Sequence, residues 1–388
     1  MTEAMIISAV RTAVGTARKG TLTETPAEDL ATHVLVEAVR RSGLAPERFD
    51  DVIFAESLYG GGDLARYAAV AAGMTQLAGQ AVNRHCAGSL TSVGNAAATI
   101  RAGMDRAVVA GGVQTSSLSP TSTWRIPGSA ETETRNPPTF PQTEIATDDV
   151  SLTVGWNVAQ KYGISRERMD AWAVRSHARA IAAIDAGTFV DEIAPITVTR
   201  KDGTVTRFAV DEHPRRDTSL EKVAALKPLH PEIEGFSITA GNACGANDGA
   251  AALALASDEL AGEAGLTTLG TVRAWAAVGV DPALTGVGAI DAIVKVLDRA
   301  RLSVADVDLW EINEAYASVP VATCQELRID EDLVNIYGSG CSLGHAVAAT
   351  GARMLTTLTH ELRRRGGGIG VAAMCAGGGQ GGAVVIEV

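Results

Sequence analysis

The chain has 388 residues, long enough for two or three compact units that share a large interior. Lys and Arg number 33 against 45 Asp and Glu, and the formal net charge of −12 argues against a protein that binds nucleic acid or anionic membranes. No run of about 18 apolar residues would cross a bilayer, and the opening residues lack the pattern of a secretory signal, so we expect a soluble, cytoplasmic protein.

In the first third of the chain, apolar runs that predict strands alternate with segments of helical periodicity. Residues 4–10 predict a buried strand, 26–42 a helix and 51–55 a second strand. A helix rich in small residues is predicted over 87–102, and it leads into the apolar strand 106–112. This alternation is typical of an α/β protein.

The middle of the chain interrupts that pattern. From Ser117 to about Asp149 the residues are mostly Ser, Thr, Pro and scattered charges, which predicts loop. Residues 158–186 predict two amphipathic helices, with Ser165 as the N-cap of the second. The sequence stays polar and irregular to about Cys244, so we interpret the middle as an insertion.

The C-terminal portion repeats the order of elements of the N-terminal one. A small-residue helix is predicted over 344–365 after a glycine-rich turn, and the strand 370–374 follows it. The economical explanation is an internal duplication, with two similar α/β halves packed together.

The chain has five cysteines and no C-x-x-C pair: Cys86, Cys244, Cys324, Cys341 and Cys375. Without such a pair the sequence predicts neither a metal site nor a redox motif, and we expect reduced thiols.

Cys86 follows Asn83-Arg-His at the point where a polar turn enters a helix of small residues. Backbone N–H groups at a helix N-terminus favour a thiolate and are expected to lower the pKa of this thiol. The alternative is a buried structural cysteine, the commoner state of an isolated one.

Two further glycine-rich turns carry reactive side chains. His345 ends the run Gly338-Ser-Gly-Cys-Ser-Leu-Gly344 and could accept a thiol proton near neutral pH, or it could only cap the following helix. Cys375 follows a buried strand and precedes a run of glycines whose N–H groups could hold an oxyanion while the cysteine moves a proton. A tight structural turn is the alternative there.

Asn313 and Glu314 stand at the end of a predicted strand over 308–310, where polar groups can face a site. An N-cap is the alternative role for Asn313.

In this order and spacing the motifs resemble those of the thiolase family over nearly the whole chain. Residues 83–86 (Asn-Arg-His-Cys) resemble the nucleophile motif, and 313–317 (Asn-Glu-Ala-Tyr-Ala) the Asn-Glu-Ala-Phe motif, with tyrosine in place of phenylalanine. Residues 344–345 resemble the Gly-His-Pro motif, with Ala346 in place of proline, and 375–377 the Cys-x-Gly motif.

The resemblance implies roles for particular residues. Cys86 would be the acylated nucleophile, His345 its base and Cys375 the acid/base for the second substrate. Asn313 would hold a water that stabilises an enolate together with His345, and the N–H groups of Cys86 and Gly377 would form a second oxyanion hole.

The resemblance also implies binding residues for coenzyme A. Arg215 matches a family arginine near its nucleotide end, and Cys244 takes the place of a serine that contacts the pantetheine. We expect Arg216 and Lys222 to be solvated charges.

The implied fold has two similar βαβαβ halves in a layered α/β/α/β/α arrangement. Residues 1–117, completed by about 246–264, would form the N-terminal half, 118–245 a loop domain that covers coenzyme A, and 265–388 the C-terminal half.

The implied activity is cleavage of a 3-ketoacyl-CoA by coenzyme A, or the reverse Claisen condensation, through an acyl-Cys86 intermediate. Coenzyme A would be a substrate; no metal and no permanently bound cofactor is expected. The expected partners are acyl-CoA, coenzyme A and further copies of the chain, in a homodimer or homotetramer. Two alternatives stay open: a condensing enzyme related to ketoacyl synthases or chalcone synthases, and a catalytically weak protein that only binds acyl-CoA.

Overall fold

The computed structural model describes residues 2–57, 59, 61–135, 137–139 and 149–388. The strands are β1 (Ala4–Arg11), β2 (Gly15–Thr16), β3 (Asp51–Glu56), β4 (Gln80–Val82), β5 (Ala107–Thr115), β6 (Thr123–Arg125), β7 (Thr132–Thr134), β8 (Ile196–Thr199), β9 (Val205–Phe208), β10 (Asn247–Ser257), β11 (Gly270–Gly279), β12 (Leu309–Ile312), β13 (Ile369–Ala376) and β14 (Gln380–Glu387). The α-helices are α1 (Ala27–Ser42), α2 (Leu64–Ala71), α3 (Gly88–Arg101), α4 (Asn157–Tyr162), α5 (Arg166–Asp185), α6 (Leu220–Ala224), α7 (Asp258–Glu263), α8 (Gly288–Ala300), α9 (Ser318–Leu327) and α10 (Thr350–Arg365).

Ten strands form one mixed sheet in the order β12-β13-β14-β11-β1-β10-β5-β3-β4, and β2 pairs with β10. In the first half β3 and β5 run parallel, and β10 then runs antiparallel to both β5 and β1. In the second half β12 and β13 run parallel, and β14 is antiparallel to both β13 and β11. The two halves therefore share strand order and direction, which confirms the predicted duplication.

The halves meet where β1 pairs with β11. Met5 lies opposite Thr271 and Ile6 opposite Gly270, and these two residue pairs join the sheets of the two halves. The first strand of each half thus lies beside the first strand of the other.

Helices cover the sheet in layers. Helix α1 packs on β1, β5 and β10 of the first half, and α8 packs on β11, β13 and β14 of the second. Between the halves lie α3 and α10, which contact strands of both. Most residues of α3 are buried, and a Cβ on its Gly94 would lie 2.4 Å from the Trp275 ring, so this helix needs small residues to fit between the sheets. The α/β/α/β/α arrangement is confirmed.

A buried ion-pair network fastens the inserted segment to β1. Nε of Arg11 donates to Glu192 at 2.6 Å, and its two terminal nitrogens donate to the Asp211 carboxylate at 2.7 and 2.9 Å. Arg11 is 1% exposed, so both carboxylates depend on it for charge compensation.

The structure agrees with most of the predicted elements and corrects three. The helix predicted over 344–365 begins only at Thr350, because Gly344 and the residues after it form a turn. Cys375 is inside β13 rather than after it. The segment 117–149, expected to be loop, contains the hairpin of β6 and β7, while residues 136 and 140–148 of that expectation lie outside the described part. Within the described part, no helix is long and apolar enough to cross a membrane.

Candidate active site

Cys86 is presented by a single turn of 3-10 helix, His85–Ala87, immediately before α3. His85 has a φ of 44°, a left-handed conformation that side chains rarely adopt, and its N–H donates to Oδ1 of Asn83 at 3.0 Å. The sharp turn directs Cys86 toward the C-terminal half, where Gly377 packs against the His85 ring. Such backbone strain is typical of functional turns.

The environment of the Cys86 thiol raises its pKa, whereas the sequence predicted a lowered pKa. The N–H groups of Gly377 and of Cys86 itself face the sulfur and lower its pKa, as expected at a helix N-terminus. Burial outweighs them and raises the pKa of Cys86 to about 11. The substrate-free protein therefore holds Cys86 as a thiol, which would need a base to act as a nucleophile.

Cys375 lies beside Cys86. Its side chain is 1% exposed near the end of β13, and its pKa is raised by burial and by the neighbouring Cys86. The pKa of Cys244 is raised to about 12 by burial and also by Cys86. The structure thus brings three cysteines from three distant parts of the chain into one site.

His345 is a buried, neutral imidazole that contacts the hydroxyl of Thr350. Its ring lies 2.8 Å, through Nδ1, from Oγ1 of Thr350, and that hydroxyl donates to the carbonyl of Ala346 at 2.9 Å. When the Thr350 hydroxyl donates to that carbonyl, Nδ1 of His345 donates to Oγ1, and Nε2 carries the lone pair that can accept a proton. Burial and the positive charge of Arg353 lower the pKa of His345 to about 4.

Asn313 faces the same imidazole. Its Nδ2 lies 3.5 Å from each ring nitrogen of His345, and its buried Oδ1 has no hydrogen-bond partner among the described residues. The backbone of His345 is fixed in turn, since its N–H donates to Oδ1 of Asn247 at 2.9 Å. Asn313 is not an N-cap, because α9 begins only at Ser318.

The glycine-rich turn before His345 is required by close packing. A Cβ on Gly340 would lie 2.6 Å from the carbonyl oxygen of Glu314, and one on Gly344 would lie 2.6 Å from the Asn247 side chain. Gly344 also has a φ of 101°. Both glycines let the turn press His345 against Asn313 and Asn247.

Glu314 is a structural acceptor rather than a catalytic acid. Its buried carboxylate accepts hydrogen bonds between 2.7 and 3.1 Å from Trp172, Ser176, Asn335 and the N–H of Cys341. Trp172 and Ser176 belong to α5 of the inserted segment. Glu314 therefore holds the inserted segment against the turn that precedes His345.

A cavity of about 350 Å³ is lined by both predicted binding residues for coenzyme A, Arg215 and Cys244. His177 and His213 also line it, and burial lowers the pKa of each to about 4. A larger open cleft of about 920 Å³, beside β4 and the β6–β7 hairpin, contains His85 but none of the four predicted catalytic side chains. The smaller cavity is the one that belongs to the site.

Two contributors were missed by the sequence reasoning. Oγ1 of Thr350 contacts Nδ1 of His345, and Oδ1 of Asn247 accepts the backbone N–H of the same histidine. Asn247 lies three residues after Cys244, a predicted binding residue, so its position offered a signal, whereas Thr350 carried none.

The fold and this cluster of cysteine, histidine and asparagine define an acyltransferase that works through a thiol. Residues 4–259 match the family described as thiolase, N-terminal domain, and residues 266–388 match thiolase, C-terminal domain. The chain belongs to the thiolase family and is a thiolase-type acyltransferase.

Individual relatives agree with this assignment. Acetyl-CoA acetyltransferase of Escherichia coli K12 is 38% identical over 398 residues, covering 100% of this chain and 99% of that protein. A 3-oxoadipyl-CoA/3-oxo-5,6-dehydrosuberyl-CoA thiolase of the same organism is 38% identical over 406 residues, covering 100% of both. The crystal structure of the Bacillus anthracis acetyl-CoA acetyltransferase has a TM-score of 0.91 at 38% identity, covering 100% of this chain and 99% of that one.

Proposed function

We propose that this protein cleaves 3-ketoacyl-CoA with coenzyme A, or runs the reverse Claisen condensation, through an acyl-Cys86 intermediate. The observation that carries the proposal is that the N–H groups of Gly377 and Cys86 face the Cys86 sulfur while Cys375 lies beside it. A nucleophile, an oxyanion hole and a second proton carrier thus occupy one site.

In the first half-reaction the Cys86 thiol gives its proton to Nε2 of His345, and the sulfur attacks the C3 carbonyl of the substrate. The bond between C2 and C3 breaks, leaving the acyl group on Cys86 and the electron pair on the enolate of the departing thioester. Asn313 and the protonated His345, with a water between them and the enolate oxygen, stabilise that charge. The Cys375 thiol then protonates C2, which releases acetyl-CoA, the thioester that contains C1 and C2.

In the second half-reaction the Cys375 thiolate takes the proton of the incoming coenzyme A thiol. The new thiolate attacks the acyl carbonyl on Cys86, and the N–H groups of Cys86 and Gly377 hold the oxyanion. Collapse transfers the acyl group to coenzyme A, and the Cys86 sulfur recovers its proton from His345. Cys86 in the first half-reaction and coenzyme A in the second thus each give up a thiol proton before their sulfur attacks.

The binding of coenzyme A is proposed for the cavity that contains Arg215 and Cys244. Arg216 pairs with Asp185 and Lys222 pairs with Asp217, so these two cations are solvated and compensated, as expected. The guanidinium of Arg215 forms no salt bridge with a described carboxylate. Arg215 and Lys222 both line the cavity, and of these two Arg215 is the cation without a described carboxylate partner, which leaves it available for a phosphate group.

The domain division and the assembly state are also proposals. Residues 118–245 form a loop domain that covers coenzyme A, between the N-terminal half (1–117, completed by about 246–264) and the C-terminal half (265–388). The proposed assembly is a homodimer or homotetramer, since an edge strand such as β4 readily pairs with another chain. Sedimentation that shows only monomer at micromolar concentration would contradict the assembly.

The test is to incubate the protein with coenzyme A and 3-ketoacyl-CoAs of graded chain length and to follow loss of the keto-thioester. Turnover, with an acyl adduct mapped to Cys86 by mass spectrometry, is expected for at least one chain length. Cys86→Ala should abolish both signals, whereas the matched variant Cys324→Ala, in a buried thiol of α9, should keep them. Absence of turnover and adduct at every length would favour the alternative of a protein that only binds acyl-CoA.

A further inference from the structure

The imidazole of His85 packs between the turn that carries Cys86 and the turn that carries Gly377. His85 immediately precedes Cys86 and has a left-handed φ of 44°. A Cβ built on Gly377 would lie 3.4 Å from Cγ and 3.6 Å from Cδ2 of the ring, so at most a methyl group would fit between them. One side chain thus lies against two turns that come from opposite halves of the chain.

The His85 ring is held at both of its nitrogens. Nδ1 lies 3.3 Å from Oγ of Ser57, just after β3, and Nε2 lies 3.0 Å from Oγ1 of Thr139 in the inserted segment. A neutral imidazole offers one donor and one acceptor, and a hydroxyl can act as either, so both bonds form in either tautomer. Burial lowers the pKa of His85, which keeps the ring neutral near pH 7. The ring therefore has a fixed position and no charge of its own to offer Cys86.

Gly377 is held on its carbonyl side by Gln380. Gly377 opens the turn between β13 and β14, and Gly378 and Gly379 follow it with φ of 81° and 72°. Because glycine has little conformational preference of its own, a turn of three glycines takes its shape from its contacts. Nε2 of Gln380 donates to the carbonyl of Gly377 at 3.0 Å. The imidazole of His85 and the amide of Gln380 are two side-chain contacts that fix this glycine.

The N–H groups of Cys86 and Gly377 must keep a set distance from each other if they are to share one oxyanion. Both face the Cys86 sulfur, and donors in such a hole act at about 2.7–3.1 Å from the oxyanion. A shift of about 0.5 Å in one donor is enough to weaken a site of this kind. His85 and Gln380 line the open cleft rather than the cavity proposed for coenzyme A, so they can act on Gly377 without contacting that ligand.

We propose that His85 and Gln380 are positioning residues of the oxyanion hole, which hold the N–H of Gly377 where it can share a tetrahedral intermediate with the N–H of Cys86. Both side chains act through the backbone of Gly377, and neither bonds to the reacting atoms. The inference rests on the proposed thiolase function and adds two residues on which its acyl-transfer steps depend.

The first measurement is the infrared carbonyl stretch of acyl-Cys86, formed from the ¹³C=O-labelled acyl-CoA of the chain length that gives the fastest thiolysis. Hydrogen bonds from the oxyanion hole lower the frequency of this stretch, whereas a role confined to folding would leave it unchanged. We expect the band to shift to higher frequency in His85→Ala and in Gln380→Leu. His85→Phe, which keeps a ring over Gly377, should stay close to the wild type.

The second measurement is the rate of thiolysis. Removal of a whole oxyanion donor lowers kcat by about 10²–10³-fold, so displacement of one should cost less. We expect kcat to fall about tenfold to fiftyfold in His85→Ala and about three- to tenfold in Gln380→Leu, with the Kd for coenzyme A changed less than about twofold. His85→Phe should recover kcat to within about threefold of the wild type. The matched control His33→Ala removes a half-buried histidine of α1, whose Nε2 lies 3.1 Å from the carbonyl of Ala194, and should keep the wild-type values.

The possible failures are distinguishable. A wild type with neither turnover nor an acyl adduct overturns the proposed function and this inference with it. An active wild type whose carbonyl band is the same in every variant overturns the inference alone, as does a wild-type kcat in both His85→Ala and Gln380→Leu. If His85→Ala does not fold, an unshifted band in Gln380→Leu is sufficient to overturn it, and a shifted band supports it.

Discussion

Replacing Thr350 by valine isolates the tautomer of His345 as a catalytic requirement. Valine keeps the shape of threonine but removes the oxygen that accepts the Nδ1–H of His345 at 2.8 Å. The Ala346 carbonyl loses the Thr350 hydroxyl but still accepts the N–H groups of Ala349 and Thr350, so little folding energy depends on the hydroxyl. Thr350→Ser restores the oxygen and is the matched control.

The expected loss follows from the value of one buried hydrogen bond. A neutral hydrogen bond contributes about 0.5–1.5 kcal/mol, and about 1.4 kcal/mol corresponds to a tenfold change in an equilibrium. Without this bond the proton moves to Nε2 in a larger share of molecules, which then lack a base for Cys86. We expect kcat for thiolysis to fall by about three- to tenfold in Thr350→Val, with KM for coenzyme A unchanged.

Two measurements check this reasoning. Steady-state thiolysis gives kcat and KM, and ¹⁵N NMR of histidine-labelled protein reports the tautomer of each of the seven histidines, with His345 assigned through His345→Gln. In the wild type the resonance should be that of an Nδ1–H imidazole. An Nε2–H imidazole at His345, or a Thr350→Val enzyme with wild-type kcat, would refute the assignment.

Three further outcomes are expected. Because burial raises the pKa of Cys86 to about 11, its alkylation by iodoacetamide in the substrate-free protein should accelerate about tenfold per pH unit from pH 7 to 10, and a plateau below pH 9 would contradict this. Arg11→Met leaves Glu192 and Asp211 buried without their cation, so urea unfolding should show a loss of about 3–5 kcal/mol, and a loss below about 1 kcal/mol would argue against the network. Burial lowers the pKa of His177 to about 4, so the unfolded chain binds a proton at this histidine at a higher pH than the folded chain does. The free energy of unfolding should therefore fall by up to about 3 kcal/mol from this group as the pH drops from 6.5 to 4. In His177→Gln the free energy of unfolding should depend less on pH over that range than in the wild type.

Much of the fold could be predicted from the sequence because its elements have strong local signals. Strands such as β1 and β5 are continuous apolar runs, and Ser165 caps α5 as expected by accepting the N–H of Arg168. The predicted start of α10 was wrong. The small residues and the histidine of this stretch do not reveal that Gly344 takes a φ of 101° and packs against the Asn247 side chain. That turn is dictated by a contact with a distant strand, which local sequence does not contain.

Part of the candidate site could likewise be predicted from local sequence, and part could not. Cys86, His345, Cys375 and Asn313 could be proposed as site residues because each stands in a recognisable turn or strand end. The predicted direction of the Cys86 pKa shift was wrong. Local sequence reveals the helix N-terminus that lowers the pKa, but it does not reveal the burial between the two halves of the chain that raises it. Thr350 could not be identified from sequence, since its role depends on which way one hydroxyl proton points.

The position of β10 in the sheet affects how the chain folds during its synthesis. This strand lies between β1 and β5, yet it follows the entire inserted segment in the sequence. Until Ser257 has been synthesised, β1 and β5 have no partner between them, and their apolar faces and unpaired backbone stay exposed. A chain that stops before Asn247 should therefore aggregate rather than form a stable half, so the N-terminal half, although made first, completes its fold only after two thirds of synthesis.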